Sequence, residues 1–349
     1  MAESMPTAVL VANPTAQSGK AAEWIAQARR LLDAAGVAHG FRPTEPAGGT
    51  VEVVRRAIDD DGARLIIYMG GDGTFAEVAK GILASAHAGE TRMGMLPTGT
   101  ANDQGKSFGL AAGPDALATN VAVIAAGETI AVDVGRIEVL DRAHEVLHRD
   151  LFFDSASIGF GASALATRNR DRELVGKIPG LGMIYRDLLV YAGAMAQRLV
   201  ESWVYDVKFD LEADIDGRVY SFENLLDVIV KNTKIFGGEW VLDPGTEADD
   251  GLFELVPVRG RIDMSTKLIA NLRHLPVGDD TLRALGLEHS EPIPGARFTL
   301  TVTSPGADRW PAAQIDGEEL MGGERYRIDV LPRCLRLIVP RAHAAAAGT

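Results

Sequence analysis

The chain has 349 residues, 46% hydrophobic and 24% charged, enough apolar material for two globular domains with ample core. A formal net charge of -13 excludes a uniformly basic nucleic-acid binder, and attraction to an anionic membrane would have to come from a local patch. The single Cys334 excludes an internal disulfide framework and fits a reducing cytoplasm.

The opening MAESMPTAVLVANP lacks the basic n-region and long apolar h-region of a signal peptide. No run approaches the roughly 18 apolar residues of a membrane span. The expectation is a cytoplasmic protein that meets lipid, if at all, from the water side. AVLVANP (8–14) reads as a buried strand ending in an Asn-Pro turn. AAEWIAQARRLLDAAG has helical apolar spacing and ends at Gly36 as a C-cap. VEVVRRAIDDDGA reads as a second helix, RLIIYMG (64–70) as a second buried strand and TFAEVAKGILAS as a third helix. RMGMLPTG (92–99) is a third strand leading into another Gly-bearing loop. Strands alternating with helices predict a parallel, doubly wound sheet, with ligands beyond the carboxyl ends of its strands.

Near residue 130 the pattern changes. IAVDVGRIEVL, LFFDSASIGFG, the long stretch 202–233, GLFELVPVRG, ARFTLTVTSP and RYRIDVLP are β-rich and alternating, which predicts an antiparallel sandwich or barrel. A helical insertion at 163–200 interrupts it. LRLIVP (335–340) can pair with either half, and the tail AHAAAAGT reads as frayed.

MGGDGT (69–74) holds three glycines around a carboxylate, between a strand and a helix. Glycines allow positive φ and close approach of a ligand to the main chain, and the free N–H groups of the following helix start favour an anion. Asp72 makes little sense as a direct phosphate contact. It makes sense with a divalent cation between, or as a group handling a substrate proton. A structural turn with Asp72 as helix cap accounts for the same residues. The loop lacks the Lys of a Walker A motif and the GxGxxG dinucleotide spacing. LPTGTAND (96–103) adds Gly99, the hydroxyls of Thr98 and Thr100, and the pair Asn102 and Asp103. Two such loops on one sheet edge suit a nucleoside triphosphate with its metal, although Asn102 and Asp103 also read as a helix N-cap.

MGGDGTFAEV followed by GMLPTGTAND resembles the catalytic domain of the diacylglycerol kinase superfamily, which includes sphingosine and ceramide kinases and bacterial lipid kinases. VANP (11–14), SIGFGA (157–162), VKNTKIFGGEWVLDPGTEADDGLF (230–253) and QIDGEEL (314–320) match further motifs of that family in order, so the resemblance covers nearly the whole chain. It implies an α/β plus all-β fold: an N-terminal doubly wound parallel sheet, similar to NAD kinase and phosphofructokinase, and a C-terminal β-sandwich, with the active site in the interdomain cleft. The corresponding division is 1–132 for the nucleotide-binding domain, 133–333 for the lipid-substrate domain and 334–349 for the last strand and tail.

The resemblance also implies ATP, Mg²⁺ and a lipid hydroxyl as acceptor. Carried onto this sequence, Gly70, Gly71, Asp72, Gly73 and Thr74 form the nucleotide loop, and Asn13, Thr44, Glu77, Gly99, Thr100 and Asn102 are further nucleotide contacts. Glu318 corresponds to the general base, with Asp72 as the second catalytic residue. Glu247, Asp250 and Leu252 correspond to a metal-binding loop. Asp133 in AVDVG matches a family Asp expected to support the site from behind. Asp316–Gly317 and Asp250–Gly251 also read as tight turns. Two departures stand out: Gln104-Gly105-Lys106 replaces the usual Phe-Ala-Arg, and Glu239 replaces a small residue.

The stretch 168–199 is the candidate for lipid contact. Arg168, Arg170, Arg172 and Lys177 flank Ile178, Leu181, Met183, Ile184 and Tyr185, which suits peripheral docking on a membrane surface, while Asp171 and Glu173 partly cancel the charge. The alternative is a face packed on the sandwich. The expected partner is a lipid substrate, with no nucleic acid, and a homodimer stays open. Two other functions fit parts of the pattern: a soluble-metabolite kinase of the NAD kinase type, and a non-catalytic nucleotide- or lipid-binding protein.

Overall fold

The computed structural model describes residues 8–159, 162, 208–236, 240–241, 245–259, 271–272, 275–276, 291–303 and 310–347. The helical insertion 163–200, the lipid-contact stretch 168–199, Phe160 and Gly161 of SIGFGA, and Gly237, Gly238 and Glu239 lie outside the described residues.

Four strands, β1 (Ala8–Ala12), β2 (His39–Pro43), β3 (Leu65–Gly70) and β4 (Arg92–Pro97), lie side by side in the order β2-β1-β3-β4, all parallel. The helices α1 (Ala21–Ala34), α2 (Gly49–Asp59), α3 (Asp72–Leu83), α4 (Asp103–Ser107) and α5 (Leu117–Ala126) connect or follow them. β1, β3 and β4 are apolar on both sides because both faces are covered. Val9, Val11, Ile66 and Tyr68 join Val54, Ile58, Phe75 and Ile82 of α2 and α3 in one core. Leu10, Ile67 and Met69 join Ile25, Leu32, Leu117 and Ile124 of α1 and α5 in the other. This is the doubly wound sheet that the alternation predicts. β2 and α5 are not among the expected elements. β2 is half-buried or exposed along its length and carries no β-branched run, as an edge strand can afford. α5 is short and apolar on most sides, so its helical period is weak.

The β-rich half opens with β5 (Thr129–Leu140), β6 (Val146–Phe152) and β7 (Ser155–Gly159). It continues with β8 (Phe209–Ile215), β9 (Arg218–Leu225), β10 (Asp227–Lys231), β11 (Ile235–Phe236), β12 (Trp240–Val241) and β13 (Phe253–Val258). β14 (Asn271–Leu272), β15 (Leu275–Pro276), β16 (Ile293–Gly295), β17 (Arg297–Thr303), β18 (Ala313–Ile315), β19 (Glu318–Leu320) and β20 (Arg325–Ile338) follow, and α6 (Arg341–Ala347) ends the described chain.

RYRIDVLP and LRLIVP turn out to be one strand. β20 runs antiparallel to β5 along its length, with an irregularity between Leu331 and Leu335, and its end pairs parallel with β4 through Arg336↔Arg92 and Leu337↔Met93. The parallel sheet therefore continues through β20 into β17, β8 and β9, giving a 10-stranded mixed sheet with β5 and β6 attached beside β20. A second, 6-stranded sheet in the order β16-β13-β10-β7-β18-β19 packs on its antiparallel half. Ile137, Phe209, Leu211, Phe298, Leu300, Tyr326 and Ile328 of the first meet Ile158, Val228, Val230, Phe253, Leu255 and Ile315 of the second in one core. In the first leaf β8 and β17 alternate buried and exposed residues, as a sheet with one face on the core does, whereas β7, β10, β13 and β18 of the second leaf are buried throughout.

Candidate active site

β1, β3 and β4 end at the same level: Ala12 is in register with Met69, and Gly70 with Pro97. Asn13, Gly70 to Thr74 and Thr98 to Asn102 therefore share one edge. Asn13 is exposed, and its Oδ1 accepts from the Thr15 N–H (2.9 Å) and Oγ1 (2.8 Å), which shapes the Asn-Pro turn. Thr44 joins this edge through its N–H, which donates to Ala12 O at 3.0 Å.

The GGDGT loop and the GTAND loop are in contact. Gly70 O accepts from the Thr98 N–H (2.8 Å) and the Gly99 N–H (3.1 Å). Asn102, in the left-handed region at φ 54, closes its own loop: Oδ1 accepts from the Gly99 N–H (2.8 Å) and Nδ2 donates to Gly99 O (2.9 Å). Its side chain caps no helix N–H; it shapes the loop that offers Thr100, which is exposed. The Thr74 side chain lies against Gly70, where a Cβ would stand 2.5 Å from Thr74 Oγ1. Glu77 is half-buried one turn further along α3.

Asp72 opens α3, and its Oδ1 accepts from the Gln104 N–H at 3.2 Å. Burial pushes its carboxyl above the usual range, opposed by that N–H and reinforced by the charge on Asp154. Burial, then Asp154 and Asp72, push Asp103 up to about 7, and Lys231 opposes them. Asp103 is 9% exposed, and its Oδ1 has no hydrogen-bond partner. The charges of Asp72, Asp103 and Asp154 thus act on one another near the sheet edge; the sequence offered Asp103 as a nucleotide-side or capping residue but pointed to no role for Asp154.

The stretch between β6 and β7 joins the two halves. Phe75, directly after the glycine loop, packs edge-to-face on Phe153 at 5.6 Å. Asp154 Oδ1 accepts from Lys231 Nζ at 2.9 Å and from Thr233 Oγ1. Asn232 Nδ2 donates to Asp133 O and Phe153 O, both at 2.8 Å. The sequence carried a signal for this network: Lys231 closes the fully buried strand DVIVK, where a charge has to be paired.

Glu318 is exposed and starts β19, and its Oε1 lies 3.5 Å from the point where a Cβ on Gly73 would stand. The two sheets thereby bring Glu318 and the GGDGT loop, 245 positions apart in the chain by their residue numbers, to one place. Glu247 and Asp250 are exposed and Leu252 half-buried. Asp250 Oδ1 accepts from the Leu252 N–H at 2.9 Å. Asp133 holds this loop: Oδ2 accepts from the Gly251 N–H and Oδ1 from the Arg333 N–H, both at 2.7 Å. Burial raises the Asp133 carboxyl, against the pull of those two N–H groups. Among the described residues no group of three or more His, Cys, Asp or Glu side chains forms a ready-made metal cluster.

Residues 7–137 match the family model for the diacylglycerol kinase catalytic domain. The chain is 26% identical over 315 residues to a probable lipid kinase YegS of Escherichia coli, covering 90% of each chain. It is 24% identical over 252 residues to a diacylglycerol kinase of Staphylococcus carnosus, covering 72% of each. The structure of a diacylglycerol kinase from Bacillus anthracis superposes with a TM-score of 0.68 at 18% identity, covering 97% of this chain and 98% of that one, which establishes a common fold.

Proposed function

Residues 7–137 belong to the diacylglycerol kinase catalytic domain family, and from that premise we propose that the chain is an ATP-dependent lipid kinase. It moves the γ-phosphoryl group of ATP to the hydroxyl of a lipid of the diacylglycerol, ceramide or sphingoid class. One juxtaposition carries the reading: Glu318 Oε1 faces Gly73 of the glycine loop at 3.5 Å from a would-be Cβ. A carboxylate exposed beside a phosphate-type loop is where an acceptor alcohol must lose its proton.

Gly70 to Thr74, Gly99 and Thr100 bind the triphosphate, with backbone N–H groups at the start of α3 facing its oxygens. Asn13, Thr44, Glu77 and Asn102 shape the rim. Glu318 takes the proton from the acceptor hydroxyl as the alcohol oxygen bonds to the γ-phosphorus. The bond from that phosphorus to the β–γ bridging oxygen breaks, and ADP leaves. Positioning and charge neutralisation supply most of the acceleration in such transfers.

The site's residues fit Mg²⁺. Asp72 and the unpartnered Oδ1 of Asp103 are hard oxygen donors that repel one another without a cation, and they would hold it together with phosphate oxygens and water. The ion would supply charge neutralisation on the phosphates. Glu247, Asp250 and the Leu252 carbonyl would hold a second ion in the loop fastened by Asp133. On this reading the acceptor is presented at a membrane surface met peripherally; among the described residues no helix is long and apolar enough to cross a membrane.

The test is a transfer assay with labelled ATP, Mg²⁺ and mixed micelles offering diacylglycerol, ceramide, sphingosine or monoacylglycerol separately, with NAD as soluble control. Label in one lipid supports the reading and identifies the acceptor; label in NAD overturns it. Asp72→Asn should lose most turnover while staying folded, and full turnover in that variant would remove Asp72 from the machinery.

A further inference from the structure

The Asp316 side chain does something no turn requires. Its two oxygens accept from three consecutive backbone N–H groups: Phe153 (2.9 and 3.1 Å), Asp154 (2.7 Å) and Ser155 (3.2 Å). The Asp316 N–H returns a bond to Ser155 O at 2.9 Å. Gln314 adds a second clamp, accepting from the Gly317 N–H (2.8 Å) and donating through Nε2 to Ser157 Oγ (2.9 Å). Asp316 and Gly317 both sit at positive φ, +48 and +79, as the tightest hairpin turn demands. For Asp316 that conformation costs free energy which the surrounding bonds must offset.

β19 needs such fastening. It is three residues long, pairs among the described residues only with β18 and ends its sheet, and Glu318 and Glu319 are both exposed. Its one core contact, Leu320, lies at the far end from the turn, so Glu318 itself has no buried side chain beside it in the strand to fix its position. The backbone at 153–155 is well placed to do so: Phe153 rests on Phe75 at the start of α3, and Asp154 is locked by Lys231. A carboxylate seated on those N–H groups transmits the position of the glycine loop to the hairpin.

We propose that Asp316 is a positioning residue for phosphoryl transfer, fastening the β18–β19 turn to residues 153–155 so that Glu318 stays opposite Gly73. This rests on the reading of the chain as a kinase with Glu318 as its base. Asp316 touches neither substrate nor nucleotide, and it acts through Glu318.

The test uses the full chain with labelled ATP, Mg²⁺ and dioctanoylglycerol in mixed micelles, and compares Asp316→Ala, Asp316→Asn, Glu318→Gln and the double variants. Misplacement of a reacting group by about 1 Å costs about 10²-fold, so Asp316→Ala should lower kcat about 10²-fold while KM for ATP stays within about two-fold. Asp316→Asn keeps one acceptor oxygen and should fall between, about ten-fold down. On the Glu318→Gln background neither change should lower kcat further, because residues that act as a unit are not additive. If the Ala variant does not fold, the Asn variant carries the same cycle. Hydrogen exchange should show the amides of 153–155 losing protection in either variant. Wild-type kcat in Asp316→Ala, an additive loss on the Glu318→Gln background, or unchanged amide protection would each overturn the proposal. Wild-type turnover in Glu318→Gln would overturn the kinase-base reading and the proposal with it; an inactive Glu318→Gln beside a fully active Asp316→Ala would overturn the proposal alone.

Discussion

Gly71 and Gly99 touch backbone to backbone: a Cβ on Gly99 would stand 2.3 Å from Gly71 Cα and 3.0 Å from Gly71 N. The contact is why each loop carries glycine at that point. Gly99→Ala has to push two main chains apart, which flexible side chains cannot absorb. We expect a loss of about 1–3 kcal/mol in stability, measured by denaturant unfolding, together with most of the turnover. A variant as stable and active as the parent would mean that the two loops need not touch.

Gly73→Ala is the contrasting case. Its Cβ would lie 3.5 Å from Glu318 Oε1, an ordinary contact, so the fold should tolerate it. The methyl group occupies the space between the loop and Glu318 in which the acceptor oxygen sits on the proposed reading. The expected result is an unchanged melting temperature with turnover on the acceptor lipid largely lost. Full turnover would place the transfer elsewhere.

Lys231 and Asp154 form a buried pair at 2.9 Å, with side-chain exposures of 0% and 9%. Removing one partner leaves an uncompensated charge, so Lys231→Met should cost about 3–5 kcal/mol. Adding Asp154→Asn should restore most of that loss, because no charge then stays behind. Equal destabilisation of the single and double variants in urea unfolding would argue against the pair as the source.

Asp133 fastens the 248–252 loop and the irregular point of β20 with two charged hydrogen bonds of 2.7 Å. Asp133→Ala leaves both N–H groups without that acceptor and should cost about 3 kcal/mol. Amide exchange at Gly251 and Arg333 should accelerate more than the global stability loss predicts. Uniform acceleration across the sheet would assign Asp133 to general core stability.

Asp316 gives a pH signature. Burial, then the charge on Asp154, push its carboxyl up to about 7 in spite of three N–H donors. The folded value lies above the unfolded one, so the native state holds the proton more tightly. That stability is present in full below the unfolded value of about 4 and is lost as pH rises through the folded value. The melting-temperature difference between the parent and Asp316→Asn should therefore shrink from acid toward neutral pH and then level off. A difference that grows over that window would reverse the assignment.

The short-range features were legible in the chain. RLIIYMGGDGTFAEV reads as strand, glycine loop and helix because apolar periodicity and glycine punctuation act within a few residues, and the structure has β3, the loop and α3 there. The alternating runs after residue 130 read as antiparallel for the same reason. β2 was invisible because an edge strand needs no apolar run, and the break at Pro332 disguised β20 as two strands.

By itself, the sequence determined the two kinds of layer, the loops at the sheet edge and the residue types able to bind phosphate and take a proton. Local propensity and side-chain period are properties of neighbours in the chain. Only the tertiary structure decided that one strand joins the parallel and antiparallel halves, that Lys231 neutralises Asp154, and that the Asp316 carboxylate seats the Glu318 hairpin on residues 153–155. Those pairings join positions far apart in the chain, and their energy comes from burial and desolvation, which exist only once the two sheets have packed.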